Sequence, residues 1–443
     1  MRVFLQALGC RLNEAELETW SRDCRARGFT LADDAGHADM VVINTCAVTA
    51  ESVRKSRQLI RRAQRSNPQA KLVVSGCYAS LPSETTLSGP GSMPGSEPAD
   101  SLGAELGVDL VVPNSDKDRL ISIAAEQLDL PVMPEVATEP GENALLARGR
   151  HRAFVKVQDG CRYRCAFCIV TKARGDERSR QIDDVVAEVR RLHSEGVNEV
   201  VLAGVHLGGY GSDIGQDLKG LIAAVLAQTD IPRIRLGSLE PWELPNGFWA
   251  LFDNPRLMPH LHLPIQSGAD SVLRRMSRRC RTDEFRELVA QARDAVAGFN
   301  ITTDIIVGFP GETDDEWTQT LAFARQMDFG HIHIFAYSPR SGTKAAGMAG
   351  QVPRDLKRAR SQQLHELAAT SRRRVLQRFA GQSFDVLIER RMESGNWSAY
   401  TPNFLRVELA PGNADDLENQ LMQVTTTAVS DDGERLLAEP APA

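Results

Sequence analysis

Phe154-Val155-Lys156-Val157-Gln158-Asp159-Gly160-Cys161-Arg162-Tyr163-Arg164-Cys165-Ala166-Phe167-Cys168 begins as a short apolar run of strand type and breaks directly into three cysteines. Three residues separate Cys161 from Cys165, and two separate Cys165 from Cys168. Thiolates this close bind only three corners of a four-iron cubane, so the fourth iron is left open. Structural metal sites close their coordination shell, whereas an open position admits a small-molecule ligand and chemistry. The competing reading is a zinc site with a distant fourth ligand, for which His193, His206, His262 and Cys280 are available. Zinc ligands usually come as two closely spaced halves, and no second half follows here.

Downstream of the cysteines, helix and strand patterns alternate. Helical periodicity covers 183–194, 218–228, 284–297 and 314–327, and strand-like runs cover 200–203, 233–236, 261–264, 301–307 and 331–335. With the run at 154–157 this makes six strands, which implies a parallel, barrel-like sheet of TIM type, shorter than eight-fold, with ligands at the strand C-terminal ends. The cysteine loop follows the first of those strands. A long basic helix is predicted at 356–378, and β-type alternation at 383–389, 404–409 and 423–429 predicts a small terminal β-barrel.

The first ~130 residues read as a separate, Rossmann-like α/β domain with a parallel sheet. Its strands are expected at 3–8, 40–44 and 71–75 and its helices at 14–27 and 52–66. Residues 87–100, rich in Gly, Ser and Pro, read as a surface loop, and 131–148 as a linker. The expected division is therefore 1–130, a linker 131–148, a core 149–378 and a terminal barrel 379–443.

The chain has 443 residues, 42% hydrophobic and 25% charged, as in globular proteins. No apolar run approaches the ~20 residues of a membrane span, and MRVFLQALGC has no signal-peptide pattern. Eight scattered cysteines suit a reducing compartment rather than a disulfide framework, so a cytoplasmic location and no membrane partner are expected. The net charge is −6, but it is unevenly spread. From Phe379 onward four basic residues face eleven acidic ones, while basic runs stand at Arg54 to Arg65, Arg274 to Arg281 and Lys357 to Arg374. One such run is commonly a solvated helix face; three raise the case for a polyanionic partner.

Cys10, Cys46 and Cys77 each close a predicted strand of the first domain. Strand ends of a parallel sheet converge on one edge, where three thiolates can meet, although buried cysteines are also common as small core residues. Cys24 falls on a predicted helix and reads as core; Cys280 sits in a basic loop and reads as a plain thiol.

The residues also resemble a known family. The spacing at Cys161, Cys165 and Cys168, with aromatic Phe167 before the last cysteine, resembles the signature of radical S-adenosylmethionine (SAM) enzymes. Leu8-Gly9-Cys10-Arg11-Leu12-Asn13 with Glu16, Val42-Ile43-Asn44-Thr45-Cys46-Ala47-Val48-Thr49, and Gly76-Cys77-Tyr78-Ala79 resemble the three further cysteine motifs of the methylthiotransferases. Gly175 with Arg178-Ser179-Arg180, the run His262 to Gly268, the run Asp304 to Thr313, and the run Tyr337 to Thr343 agree with it. Val201 to Gly211 and Lys55 to Ala63 are similar to the MtaB-like branch, whose members act on N6-threonylcarbamoyladenosine beside the tRNA anticodon. Sister branches act on isopentenyladenosine in tRNA or on an aspartate of a ribosomal protein.

The resemblance implies a TRAM-like terminal barrel, SAM and two 4Fe-4S clusters: a radical SAM cluster at Cys161, Cys165 and Cys168, and a second at Cys10, Cys46 and Cys77. It further implies the tRNA anticodon arm as partner and an electron donor such as flavodoxin or ferredoxin, and leaves the sulfur donor open. From the residues themselves, Gly204, Gly208 and Gly209 follow a strand where backbone can approach a ligand, with a plain tight turn as the alternative. Radical SAM enzymes often carry an acid there; Ala203-Gly204-Val205 lacks it. Phe167, Gln266 and Asp304 are further candidate cofactor or substrate contacts, with capping of the barrel rim as the alternative for the last two. Arg57, Arg61 and Arg62, at helical spacing, are the candidate RNA contacts.

Overall fold

A computed structural model of the chain describes residues 1–81, 106–128, 130, 151–410 and 416–441. The loop expected at 87–100 and the linker expected at 131–148 lie outside the described residues. The chain divides into two compact units, one of Met1–Ala144, Asp159–Glu177 and Ser338–Thr343, the other of Leu145–Gln158, Arg178–Tyr337 and Lys344–Ala443.

In the first unit, strands β1 (Arg2–Ala7), β2 (Thr30–Leu31), β3 (Met40–Thr45), β4 (Lys71–Gly76) and β5 (Leu110–Val111) form a parallel sheet in the order β2-β1-β3-β4-β5. β3 is buried along its whole length because both faces of the sheet are covered. On one face Leu17, Trp20 and Cys24 of α1 (Arg11–Ala26) and Leu120, Ile121 and Ala124 of α3 (Leu120–Gln127) pack on Val3, Val42 and Val73. On the other, Ile60 and Ala63 of α2 (Ala50–Ser66) pack on Val41, Ile43 and Val74. The Thr49 hydroxyl caps α2 by accepting the Ser52 N–H at 3.0 Å. The two-residue strands β2 and β5, and helix α3, were not expected; two residues carry no readable period. Cys24 is fully buried core, as expected.

The second unit carries two parallel three-stranded sheets, β6 (Arg152–Lys156), β7 (Glu199–Ala203), β8 (Arg233–Leu236) and β9 (His260–His262), β10 (Asn300–Val307), β11 (His331–Ala336). A parallel bridge from Ser238 to His262 joins them into the expected six-strand succession. Helices Ile182–Ser194, Leu218–Gln228, Thr282–Ala295 and Asp314–Met327 bury their apolar faces on these strands, the last opened by a capping box of Thr313 and Glu316. Cys280, read as a loop thiol, belongs to this core instead: it is 4% exposed, and burial pushes its thiol up to about 12.

The terminal strands Ser383–Arg391, Trp397–Tyr400, Arg406–Leu409, Leu421–Val429 and Leu436–Pro440 close into a barrel, two strands more than the alternation revealed. The segment Tyr400 to Phe404 docks on residues that begin the parallel strands: Arg152, Arg233, His260 and Asn300. The Arg235 guanidinium is bidentate on Glu199 at 2.9 and 3.3 Å and donates to Pro402 O at 3.0 Å, and the Arg152 and Arg235 guanidinium groups lie over the Phe404 ring. Asn300 donates to Asn403 O at 2.8 Å. The strand N-terminal ends are thus covered within this unit, and their C-terminal ends carry the chemistry-bearing residues.

Glu199 is wholly buried, which opposes its charge, but Arg235, Arg152 and Arg233 outweigh burial and hold its pKa down to about 2. A folded pKa below the unfolded one gives stability that is full above about pH 4.5 and is lost as the pH falls toward about 2. Glu199→Gln is expected to cost about 3–5 kcal/mol at neutral pH by stranding buried guanidinium groups. Urea midpoints of both proteins across pH 3–7 test this, since the gap must narrow on acidification; a gap independent of pH would refute the assignment.

Candidate functional site

β1, β3 and β4 are adjacent and parallel, so the loops that follow them leave the same edge of the sheet. Cys46 and Cys77 immediately follow β3 and β4, and Cys10 occupies the N-cap of α1. A Cβ built on Gly9 would stand 2.9 Å from the Cys46 sulfur, so glycine is what lets the Cys10 loop approach Cys46. The Cys10 Sγ lies 3.5 Å from Asn13 Oδ1, and Cys77 receives the Arg174 Nε–H at 3.2 Å. Ser56 Oγ accepts the Cys46 N–H and donates to Cys46 O, which fixes that loop on α2. Cys46 and Cys77 are buried and Cys10 is exposed; burial raises the Cys46 thiol pKa.

The loop of Cys161, Cys165 and Cys168 belongs to the same unit. Gly160 enters it at φ +74°, where a Cβ would collide with Asp176 O at 1.9 Å. Backbone N–H groups of Tyr163 and Val170 point at the sulfurs of Cys161 and Cys168, each at 3.4 Å. Cys168 N–H closes a turn on Cys165 O, and the half-buried Phe167 lies within that turn. A one-turn helix, α4 (Val170–Arg174), follows at once.

Arg174 ends that helix 4% exposed, in a network that the motif spacing did not disclose. Besides Cys77 it donates to Glu16 Oε1 and Asp159 Oδ1, each at 3.0 Å, and to Asn13 Oδ1 at 2.8 Å. Lys117, wholly buried, pairs with the same two carboxylates and with Asn114. Burial alone would lower the Arg174 pKa; Glu16, Cys77 and Asp159 outweigh it and hold the guanidinium charged. A buried Lys beside no recognisable motif leaves no mark in a single sequence. Arg174 had one: it stands directly before Gly175 of a motif already noted.

In the second unit, Gly204 follows β7 beneath the Gln158 carboxamide, which accepts the His206 N–H at 2.9 Å. Gly208 and Gly209 form a 3-10 turn, Leu207–Gly209, with Gly208 against Glu240 and Glu243. These carboxylates stand 3.7 Å from His206 Nε2, so the strand end that lacks an acid in Ala203-Gly204-Val205 has two supplied from beyond β8. Burial raises the Glu240 pKa. Gln266 holds φ +77°, a left-handed conformation that costs a non-glycine residue about 1–3 kcal/mol and clusters at functional sites. Its backbone bonds Asp304 O and Ile306 N, each at 2.9 Å. Asp304 Oδ1 lies 3.1 Å from His262 Nε2, and His262 Nδ1 pairs with Thr302 Oγ1 at 2.9 Å. His333 completes a group whose ligand atoms all fall within 4.8 Å of one another. His262 and His333 enter the site only through the pairing of β9, β10 and β11.

The basic runs divide. Arg61 and Arg62 are exposed, whereas Arg57 is partly buried and donates to the Tyr78 hydroxyl at 2.6 Å, beside Cys77. Arg275 is bidentate on Glu316, Arg278 lies over Trp242, Arg360 is buried with Glu312, and Arg374 and Arg378 pair with Asp328. Several residues of the second and third runs are therefore engaged in ion pairs and stacking within the fold.

The chain matches the Radical SAM superfamily over residues 155–324 and the family described as "Uncharacterized protein family UPF0004" over residues 2–92. It is 32% identical to the threonylcarbamoyladenosine tRNA methylthiotransferase MtaB of Bacillus subtilis, over 91% of this chain and 89% of that one. The MtaB of Thermotoga maritima is 33% identical, over 92% and 91%. A tRNA-2-methylthio-N(6)-dimethylallyladenosine synthase of Staphylococcus saprophyticus is 32% identical, over 87% of this chain and 75% of that one. Among solved structures, the radical SAM methyltransferase TsrM of Kitasatospora setae superposes with a TM-score of 0.57 at 15% identity, over 78% and 77%, a likeness of fold alone. The superfamily match brings with it SAM and a 4Fe-4S cluster. With full-length relatives above 30% identity, the chain belongs to the radical SAM methylthiotransferases.

Proposed function

We propose that the chain converts N6-threonylcarbamoyladenosine next to the tRNA anticodon to its 2-methylthio derivative. The observation that carries this reading is the gathering of two cysteine triads in one unit, joined to relatives of that activity that match nine-tenths of both chains. Carbon 2 of adenine is neither acidic nor electrophilic enough for ionic substitution at neutral pH, so a radical route suits the reaction.

Cys161, Cys165 and Cys168 would hold the SAM-binding cluster, and Cys10, Cys46 and Cys77 a second one. The fit rests on the donor set: three thiols in each group, with backbone N–H groups directed at Cys161 and Cys168 and a guanidinium at Cys77, which offset thiolate charge. When bound, the first would supply reductive cleavage of the sulfonium cofactor and the second a place to hold the sulfur that is transferred, whatever its donor. Gly204, Gly208 and Gly209 offer backbone to the cofactor, with Glu240 and Glu243 as the acids for its amine; Phe167 flanks the loop. Gln266, Asp304, His262 and His333 provide the polar groups for cofactor or substrate at the strand ends. A flavodoxin- or ferredoxin-type donor would supply electrons.

Nucleoside mass spectrometry of tRNA from a deletion strain tests the substrate. The 2-methylthio derivative is expected to vanish while threonylcarbamoyladenosine accumulates; loss of 2-methylthio-dimethylallyladenosine instead would assign the other tRNA branch, and unchanged tRNA would reopen a ribosomal-protein aspartate.

Recognition of a single-stranded loop combines phosphate contacts with base stacking. Arg61 and Arg62 offer exposed charge on α2, and Arg57 lies nearer the cysteines. Arg61→Ala/Arg62→Ala is expected to weaken tRNA binding, each lost phosphate contact removing about 0.7–0.9 from the logarithmic salt slope. SAM cleavage without RNA should be unaffected. An unaltered slope with normal methylthiolation would make this run a solvated face.

A further inference from the structure

We propose that Arg174 is a positioning residue of the Cys10, Cys46 and Cys77 centre, one that holds the Cys77 sulfur by a charged hydrogen bond and thereby stabilises the reduced form of the cluster bound there. The inference rests on the reading of that triad as a cluster site. Three features of the geometry carry it.

The first is the contact itself. The Arg174 Nε–H meets Cys77 Sγ at 3.2 Å, and the guanidinium and Cys77 are both buried. A charge-assisted hydrogen bond to a ligating sulfur favours the form with more negative charge, which is the reduced one, and hydrogen bonds to sulfur are among the factors that set cluster potentials.

The second is how completely Arg174 is held. Glu16, Asp159 and Asn13 take three of its other four N–H donors, and Lys117 bridges the same Glu16 and Asp159. Two cations and two carboxylates balance, so the network is neutral as it stands and the bond to Cys77 comes in addition to the ion pairs. A buried cation fixed by three anchors cannot swing away from the sulfur, and so it acts as a fixed dipole source rather than a mobile counterion.

The third is the place of these residues in the chain. Asp159 lies two residues before Cys161, Arg174 ends the helix that starts two residues after Cys168, and Asn13 lies three residues after Cys10. The network therefore ties both flanks of the Cys161 loop to the Cys10 and Cys77 loops. A role for Arg174 toward the second triad is consistent with its absence from any reading of the cysteine spacing.

The test uses the full chain with Cys161, Cys165 and Cys168 replaced by Ala, so that a cluster forms only at the other triad. After anaerobic reconstitution with iron and sulfide, iron content and the midpoint potential are measured, the latter by EPR-monitored titration with Ti(III) citrate as one-electron reductant. Arg174→Gln is expected to keep the iron but to shift the midpoint to more negative potential with an altered reduced EPR signal. Because that variant leaves two carboxylates facing one cation, Arg174→Gln/Asp159→Asn, which removes one charge of each sign, is run beside it and should show the same negative shift. Loss of iron from a folded double variant whose parent retains it would show a merely structural requirement and overturn the effect on potential. Full iron with the parent's potential and EPR signal in either variant would overturn it, leaving Arg174 a structural bolt. A parent that takes up no iron at all would instead defeat the cluster reading on which the inference stands, a failure visible without any Arg174 variant.

Discussion

Cys161→Ala, reconstituted anaerobically, will carry about half the iron of the intact chain, about four atoms in place of about eight, and will form no 5′-deoxyadenosine above background. Two thiols cannot replace three around an open cluster, and the remaining ones lose the turn that presents them: Tyr163 N–H directs itself at the Cys161 sulfur, and Thr171 Oγ1 secures Tyr163 O at 2.8 Å. The protein should stay folded, because Cys161 lies in a loop outside the hydrophobic cores. Iron and sulfide analysis with chromatography of the cleavage product checks both halves. An intact chain that saturates at about four irons with all six cysteines present would remove the second cluster from the proposal.

Cys46→Ala is expected to separate the two functions. SAM cleavage should persist within a few-fold of the intact chain, since the Cys161 loop keeps its own ligands, while methylthiolated nucleoside should fall below detection. The Cys46 backbone is held independently of its sulfur by Ser56, so the substitution leaves the loop anchored. Measuring 5′-deoxyadenosine and modified nucleoside in one reaction gives the ratio directly. Equal loss of both products from a variant with native circular dichroism would contradict a division of labour between the triads.

These expectations were legible to different depths. The Cys161 loop was readable because its ligands are neighbours in sequence, and so was the six-strand succession, in which β7 carries the apolar run Val200 to Ala203, β10 ends in Ile305-Ile306-Val307, and β8 alternates Arg with apolar residues. Cys10, Cys46 and Cys77, far apart in sequence, were readable as strand ends that a parallel sheet would bring to one edge and through the resemblance of their flanking motifs. The basic runs were legible as charge but not as placement, because a sequence does not show whether Arg275 or Arg360 faces solvent or a buried carboxylate.

Local spacing gave the Cys161 thiols, strand and helix period gave the parallel α/β architecture, and motif resemblance pointed to the family and to a second set of three thiols. Tertiary structure alone decided what surrounds those thiols. Arg174, Lys117, Glu16 and Asp159 come from four separate segments, and only folding shows that their charges cancel beside Cys77. Likewise Glu240 and Glu243 reach Gly208, and His262, Asp304 and His333 meet, because parallel strands place distant loops at a common end. Such pairings depend on strand order and register, which local periodicity does not encode.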